Sequence, residues 1–110
     1  MQTLPEVRVG NDISHRKDVS TAGGETISVR RKFFSETFAK NARNPLLQET
    51  MNLAMDFESW MPKLNQGRIE EGIDHDFQFK AYEIVHNGYH IVFKAKLTEG
   101  AIAYTMRIIE

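Results

Sequence analysis

The dipeptide Asn87-Gly88 constrains the fold of this chain more than any other feature. Both residues tolerate positive φ, and such a pair between two alternating apolar segments is the strongest short-range signal for a β-hairpin. A second turn, at Glu99-Gly100, has a glycine at its second position, where backbone freedom is needed. Together the two turns predict three consecutive antiparallel strands between Asp76 and Glu110.

Two-residue loops at both turns predict the register of these strands. The pairs are His86 with Tyr89, Ile84 with Ile91, Tyr82 with Phe93 and Lys80 with Ala95, then Leu97 with Ile102, Ala95 with Tyr104, Phe93 with Met106 and Ile91 with Ile108. A slip of one residue would invert every side chain, so the consistency of the apolar face supports this register. We expect the core face to contain Tyr82, Ile84, Tyr89, Ile91, Phe93, Leu97, Ile102, Tyr104, Met106 and Ile108.

The opposite surface of the meander, called the polar face below, holds Phe77, Phe79, Glu83, His90, Val92, Lys94, Lys96, Thr105 and Arg107. Directly opposed side chains in a sheet lie about 5 Å apart. The register puts Glu83, Val92 and Arg107 in one row, and Lys94 beside Thr105 in the next. Such a cluster predicts a catalytic or ligand-binding surface. The alternative is a solvated face with ordinary cross-strand ion pairs.

The size and composition of the chain restrict its class. With 110 residues, 41% of them hydrophobic, it is long enough for one small domain with its own core. A net charge of −1 provides no bulk attraction to nucleic acid or to an anionic membrane, so polyanion binding would need a local patch. The absence of cysteine excludes disulfides, thiolate zinc sites and a cysteine nucleophile. No apolar segment approaches the roughly 20 residues of a membrane span, so we expect no membrane partner. The default expectation for the location is the reducing cytoplasm.

The order of the remaining segments predicts an α+β fold. Residues 1–25 are rich in turn-forming residues and are expected to form a flexible arm, and residues 26–110 a single domain. In this domain we expect a strand at Thr26–Arg31, a short helix from Ser35 and a longer helix from Asn44-Pro45 to about Met61. One or two helices would then pack on one face of an antiparallel sheet of three to five strands that ends in the meander.

Residues 65–75 are expected to form a loop that ends in Asp74-His75-Asp76. A histidine between two aspartates is typical of a metal site or of a histidine with a raised pKa. Because an extended strand cannot direct all three side chains at one ion, we predict no metal here, and His75 remains a candidate base or substrate contact. No phosphate-binding glycine loop, serine elbow or dinucleotide fingerprint occurs, so no cofactor is expected either.

The sequence of elements, with a polar outer face on a terminal meander, resembles the fold shared by barnase, the EndoU nucleases, the colicin tRNases and the RelE/ParE toxins. Small domains of this group also end phage and polymorphic-toxin proteins. The resemblance covers residues 26–110 and rests on Arg30-Arg31-Lys32-Phe33-Phe34, the helix Leu46–Met61, Tyr82-Glu83-Ile84, Gly88-Tyr89-His90-Ile91-Val92-Phe93-Lys94 and Tyr104-Thr105-Met106-Arg107-Ile108.

This resemblance implies metal-independent RNA cleavage, in which the ribose 2′-OH attacks the adjacent phosphate. Transfer RNA is one candidate substrate. Glu83 and His90 would act as base and acid, Lys94 and Arg107 would hold the phosphate, and Thr105 would donate a hydrogen bond to it. The expected substrate contacts are Arg30, Lys32, His75, Phe79 and Lys96. The partner would be RNA, together with a cognate antitoxin or immunity protein.

A protein-binding inhibitor from a phage or mobile element, similar to an anti-CRISPR or immunity protein, is the alternative. It would share the small size, the mild acidity and the lack of a cofactor motif. Its partner would be the inhibited target, met by an acidic rim that mimics phosphates and consists of Glu70, Glu71, Asp74, Asp76 and Glu83. A homodimer formed through an edge strand is a third possibility.

Overall fold

The computed structural model describes residues 16–71 and 77–109, which form six strands, three α-helices and one 3₁₀ turn. The strands are β1 Lys17–Ser20, β2 Thr26–Val29, β3 Arg68–Glu71, β4 Gln78–His86, β5 Tyr89–Leu97 and β6 Ala101–Ile109. The helices are α1 Arg31–Lys40, α2 Leu47–Met55 and α3 Phe57–Trp60, and the 3₁₀ turn is Met61–Lys63.

One sheet contains all six of these strands, in the order β1-β2-β6-β5-β4-β3. The pair β2–β6 is parallel, and the other four pairs are antiparallel. The helices lie between β2 and β3 in the chain and pack on one face of the sheet. The predicted α+β class with a terminal meander is confirmed. The sheet has one more strand than the upper expected number of five, and it is mixed and not antiparallel throughout, because β2 joins β6 in parallel.

The additional strands come from segments whose sequence predicted none. β1 lies in the expected arm, pairs with β2, and is fastened by a 2.7 Å hydrogen bond that Ser28 donates to Asp18. The expected domain boundary at residue 26 therefore falls inside a β-hairpin, and residues 1–15 of the arm lie outside the described part of the chain. β3 lies in the expected loop and pairs with β4. Both strands are only four residues long, which is too short for a clear alternation.

The first hairpin of the meander has the predicted register, from His86 opposite Tyr89 to Lys80 opposite Ala95. Asn87 has a φ of 52° and Gly88 a φ of 82°, both in the left-handed region that this turn requires. Local backbone preference and the alternation of side chains agree here, so the register follows from the sequence.

The second hairpin has the predicted register only in its far half. Its loop contains three residues, 98–100, so Leu97 lies opposite Ala101 and not Ile102. A β-bulge at Tyr104 of β6, opposite the step from Lys94 to Ala95, compensates for the extra loop residue and restores the pair Phe93 and Met106. The predicted pairs of Leu97 with Ile102 and of Ala95 with Tyr104 are therefore wrong.

This bulge changes which side chains of β6 reach the core. Ala103 lies opposite Ala95 and belongs to the core, whereas Ile102 lies opposite Lys96 on the polar face. Tyr104, the extra residue of the bulge, packs on Phe79 of the polar face. Ile102 and Tyr104 were expected in the core, and the three-residue loop is the reason that they are not there.

The helices begin at other residues than predicted. α1 starts at Arg31, directly after Arg30 in extended conformation, and not at Ser35, whose hydroxyl donates to the Lys32 carbonyl oxygen inside the helix. This early start buries Phe33 and Phe34 completely. The predicted long helix is interrupted at Asp56, which leaves helical geometry between α2 and α3.

The core lies between these helices and the core face, and Trp60 is at its centre. The indole is fully buried, its ring meets that of Phe93 edge-on at a centroid distance of 5.7 Å, and its Nε1 donates a 2.8 Å hydrogen bond to the Leu53 carbonyl oxygen. Asn41 joins α1 to the sheet, because its Nδ2 donates to the Met106 carbonyl oxygen at 3.0 Å. The predicted core role of Trp60 is confirmed.

A polar network closes the edge of the core near β3. The Glu25 carboxylate accepts a 3.0 Å hydrogen bond from the Tyr82 hydroxyl and pairs with the Lys80 ammonium. Gly67 approaches this network so closely that a Cβ there would lie 2.8 Å from Lys80 Cγ and from the Tyr82 ring. Burial raises the pKa of Tyr82, and the hydrogen bond and negative charge of Glu25 raise it further.

The raised pKa of Tyr82 predicts a loss of stability at alkaline pH. In the unfolded chain a tyrosine ionises near pH 10, whereas folded Tyr82 keeps its proton to higher pH. Its contribution is therefore complete below about pH 10 and declines as the pH rises above that value. Urea unfolding between about pH 8 and pH 11 would measure the decline.

Tyr82→Phe should make this alkaline decline shallower, although the loss of the hydrogen bond to Glu25 lowers its stability at pH 8. Tyr89→Phe is the matched control, which we expect to keep the wild-type slope. Equal slopes for wild type and Tyr82→Phe would contradict the assignment.

Candidate nucleic-acid interface

The five predicted catalytic residues come together on the polar face. Glu83 on β4 and Arg107 on β6 both lie opposite Val92 of β5, and Lys94 lies opposite Thr105 in the next row. These pairings agree with the predicted register, because the bulge lies on the loop side of them. The catalytic roles of these residues stay predictions.

His90 and Glu83 form a hydrogen-bonded pair on this face. His90 Nε2 lies 2.9 Å from Glu83 Oε1, and the two side chains are 40% and 45% exposed. If the ring donates Nε2–H to the carboxylate, Nδ1 is the nitrogen that exchanges a proton with a ligand. A solvent-accessible imidazole held by a carboxylate can serve as an acid–base group.

Strand β3 adds ion pairs that the sequence did not predict, because its segment was expected to be a loop. Arg68 Nη2 lies 3.2 Å from Glu70 Oε2 and 3.8 Å from Glu83 Oε2, and Lys94 Nζ lies 3.5 Å from Glu70 Oε1. The hydrogen bond from Arg68, together with Lys94, holds the pKa of Glu70 below its usual value. The carboxylates Glu70 and Glu83 thus both face cations on the same surface.

Aromatic rings and lysines occupy the other half of the polar face. The ring centroids of Phe77 and Phe79 lie 5.1 Å apart, and those of Phe79 and Tyr104 lie 5.2 Å apart. Lys96 Nζ lies 5.2 Å from the Phe77 centroid and 5.3 Å from that of Tyr104, and Lys40 of α1 reaches the same tyrosine at 5.5 Å. Cations at these distances are attracted by the ring faces.

Phe79 differs from its predicted role as a direct substrate contact. It is only 6% exposed, so it supports the neighbouring rings from below and presents little surface to a ligand. Tyr104, which was expected in the core, is half-buried beside it on the polar face. No pattern in the sequence indicated this position, since it depends on the bulge.

The predicted substrate contacts fall into two groups. Arg30, Lys32 and Lys96 line one pocket between the start of α1 and the β5–β6 loop, together with Tyr104. His75 lies outside the described residues, as do Asp74 and Asp76 of its motif. Sequence separation hid this grouping, because Arg30 and Lys96 come together only when β6 pairs with β2 and β5.

Comparisons with known proteins give no relative for this chain. No protein-family model matches it, and neither do curated proteins or solved structures. The resemblance to the small ribonucleases therefore stays a prediction from the sequence.

Two further features of residues 16–71 and 77–109 concern membrane-spanning helices and clusters of metal ligands. No helix in these ranges is long and apolar enough to cross a membrane. No three side chains of His, Cys, Asp or Glu in them are grouped as metal ligands.

Proposed function

We propose that the polar face binds RNA and cleaves it without a metal ion, by attack of a ribose 2′-OH on the adjacent phosphate. The contact of His90 with Glu83, on the same face as Arg107 and Lys94, is the observation that supports this proposal most. It combines two groups able to transfer protons with cations able to hold a phosphate.

Each residue has one role in the proposed reaction. Glu83 accepts the proton of the 2′-OH as the 2′-oxygen–phosphorus bond forms, and protonated His90 donates a proton to the 5′-oxygen as the bond from phosphorus to that oxygen breaks. The products are a 2′,3′-cyclic phosphate and a free 5′-hydroxyl. Water then takes the proton from Glu83 and returns one to Nδ1 of His90, because the two side chains are 45% and 40% exposed, which restores both groups.

The cations of the polar face would stabilise the charge that develops on the phosphate. Arg107 lies in the row of Glu83, and Lys94 lies one row away beside the Thr105 hydroxyl, which can donate a hydrogen bond to a phosphate oxygen. Within the described residues no carboxylate lies within 4.0 Å of Arg107. The Arg107 charge is thus available to a polyanion.

Charge pairing also favours RNA over the alternative of a phosphate-mimicking inhibitor. In such an inhibitor the acidic rim would have to present unneutralised carboxylates to a basic target. Glu70 instead pairs with Arg68 and Lys94, and Glu83 contacts His90 and Arg68. Of the described residues, those on the polar face consequently present more uncompensated positive than negative charge.

The test is incubation of the purified protein with total tRNA and with a structured mRNA in EDTA, followed by a denaturing gel. A DNA oligonucleotide of matched sequence is the control, since it lacks the attacking 2′-OH. We expect discrete RNA fragments that end in a 2′,3′-cyclic phosphate, and intact DNA. RNA that stays intact at high protein concentration, or cleavage of DNA and RNA alike, would refute the proposal.

A further inference from the structure

A pocket of about 260 Å³ lies beside the start of α1, at the opposite end of β5 from His90. Arg30, Lys32 and Lys96 are its cations, and Glu36 is the single carboxylate among its described lining residues. The first turn of α1 contains no acidic residue, so nothing there offsets the positive charge. The pocket therefore has a net positive lining.

None of the cations of this pocket forms an ion pair in the described part of the chain. No carboxylate in those residues lies within 4.0 Å of Arg30, Lys32 or Lys96. The Nε of Arg30 is buried and has no hydrogen-bond acceptor. A buried donor without an acceptor is destabilising, and an anionic ligand bound in the pocket that Arg30 lines would offer it an acceptor.

The other residues that line the pocket are not typical of a site for an inorganic anion. Ile102, Ala103 and Tyr104 contribute apolar and aromatic surface, which an inorganic phosphate would leave uncovered. Thr98 and Glu36 add groups that can bond to a hydroxyl or amino group of a ligand. The volume lies just below the roughly 300–1,000 Å³ of most ligand pockets, which suits a small ligand.

We propose that this pocket binds one nucleotide of a single-stranded RNA, with the phosphate on Arg30, Lys32 and Lys96 and the base against Tyr104 and Ile102. Aromatic surface beside a basic groove is the usual means by which proteins bind single strands without reading their sequence. This inference deepens the proposed RNA cleavage and rests on it for the identity of the ligand.

The position of the pocket predicts how cleavage depends on substrate length. Lys96 and His90 are six residues apart on β5, which corresponds to about 20 Å at roughly 3.4 Å per residue. An RNA strand that reaches both sites must span several nucleotides. The pocket consequently assists the cleavage of long strands and has no part in the cleavage of a dinucleotide.

Titration of the ¹⁵N-labelled protein with adenosine 5′-monophosphate, followed by NMR, tests the site directly. We expect saturable shifts at the pocket, and a Kd roughly tenfold or more higher for the double variant Lys32→Gln/Lys96→Gln, because charge-assisted hydrogen bonds are lost. Lys32 is exposed and Lys96 is half-buried, and neither belongs to the core, so both can be replaced without loss of core packing. Lys63→Gln, an exposed lysine outside the pocket, is the matched control with wild-type affinity.

The outcomes separate this inference from the proposed activity. Absence of saturable shifts, equal affinity of wild type and double variant, or inorganic phosphate binding as tightly as the nucleotide would each overturn the nucleotide pocket. Nucleotide binding without RNA cleavage would keep the pocket and refute the proposed activity. If RNA is cleaved, the double variant should cleave a long strand about tenfold more slowly than wild type and a dinucleotide at the same rate; equal slowing of both would overturn the pocket.

Discussion

Replacement of His90 by alanine is expected to slow RNA cleavage by about 10²–10⁴-fold, the usual contribution of a positioned acid or base. The variant loses the proton donor for the 5′-oxygen. Because the His90 side chain is 40% exposed, the free energy of unfolding should change by no more than about 0.5 kcal/mol. Initial rates on a labelled RNA, with thermal unfolding of the same sample, measure both quantities.

His86→Ala is the matched control for this prediction. His86 lies on the same strand as Glu83, but the alternation of side chains directs it to the core face, away from Arg107 and Lys94. We expect its cleavage rate to equal that of the wild type. Wild-type activity of His90→Ala would remove His90 from the mechanism.

Replacement of Trp60 by alanine is expected to destabilise the fold by about 3–5 kcal/mol. The indole is fully buried, packs edge-on against Phe93 at 5.7 Å, and bonds to the Leu53 carbonyl oxygen. Its removal leaves a cavity at the point where α2, α3 and the sheet meet. Since a small domain is stable by only about 5–15 kcal/mol, this loss removes a large share of the stability and should lower the urea midpoint markedly.

Urea unfolding followed by circular dichroism measures this loss, because tryptophan fluorescence is no longer available in the variant. Trp60→Phe is the graded control: it keeps an aromatic ring in the core and loses the hydrogen bond to Leu53, so a smaller loss of about 1–3 kcal/mol is expected. An unchanged midpoint for Trp60→Ala would show that the packing around the indole is not as described.

The two turns of the meander show where inference from sequence stops. At Asn87-Gly88 both central residues favour the turn, and the side-chain alternation on both sides supports the same register. At Glu99-Gly100 the glycine is compatible with loops of two or three residues. Packing decides between the two loop lengths, because the three-residue loop with its bulge puts the small Ala103 into the core and leaves Tyr104 outside.

The edge strands β1 and β3 form only by pairing with strands that lie further along the chain. β1 buries only Val19, and β3 forms its ladder with residues 78–81, so neither segment contains enough local information to be recognised as a strand. The ion pairs of Arg68 with Glu70 and Glu83 were consequently missed as well. The long helical segments were easier to locate from the sequence, although the observed helix ends differ from the predicted ends by several residues.

The α+β class, the first hairpin, the central position of Trp60 and the grouping of Glu83, His90, Lys94, Thr105 and Arg107 on one face were determined by the sequence alone. These features depend on turn chemistry and on the two-residue period of a strand, both of which are local. The tertiary structure alone decided the position of Tyr104, the ion pairs from β3 and the pocket that joins Arg30 to Lys96. Each of these requires contacts between residues far apart in the chain, whose geometry is set by how the sheet and helices pack.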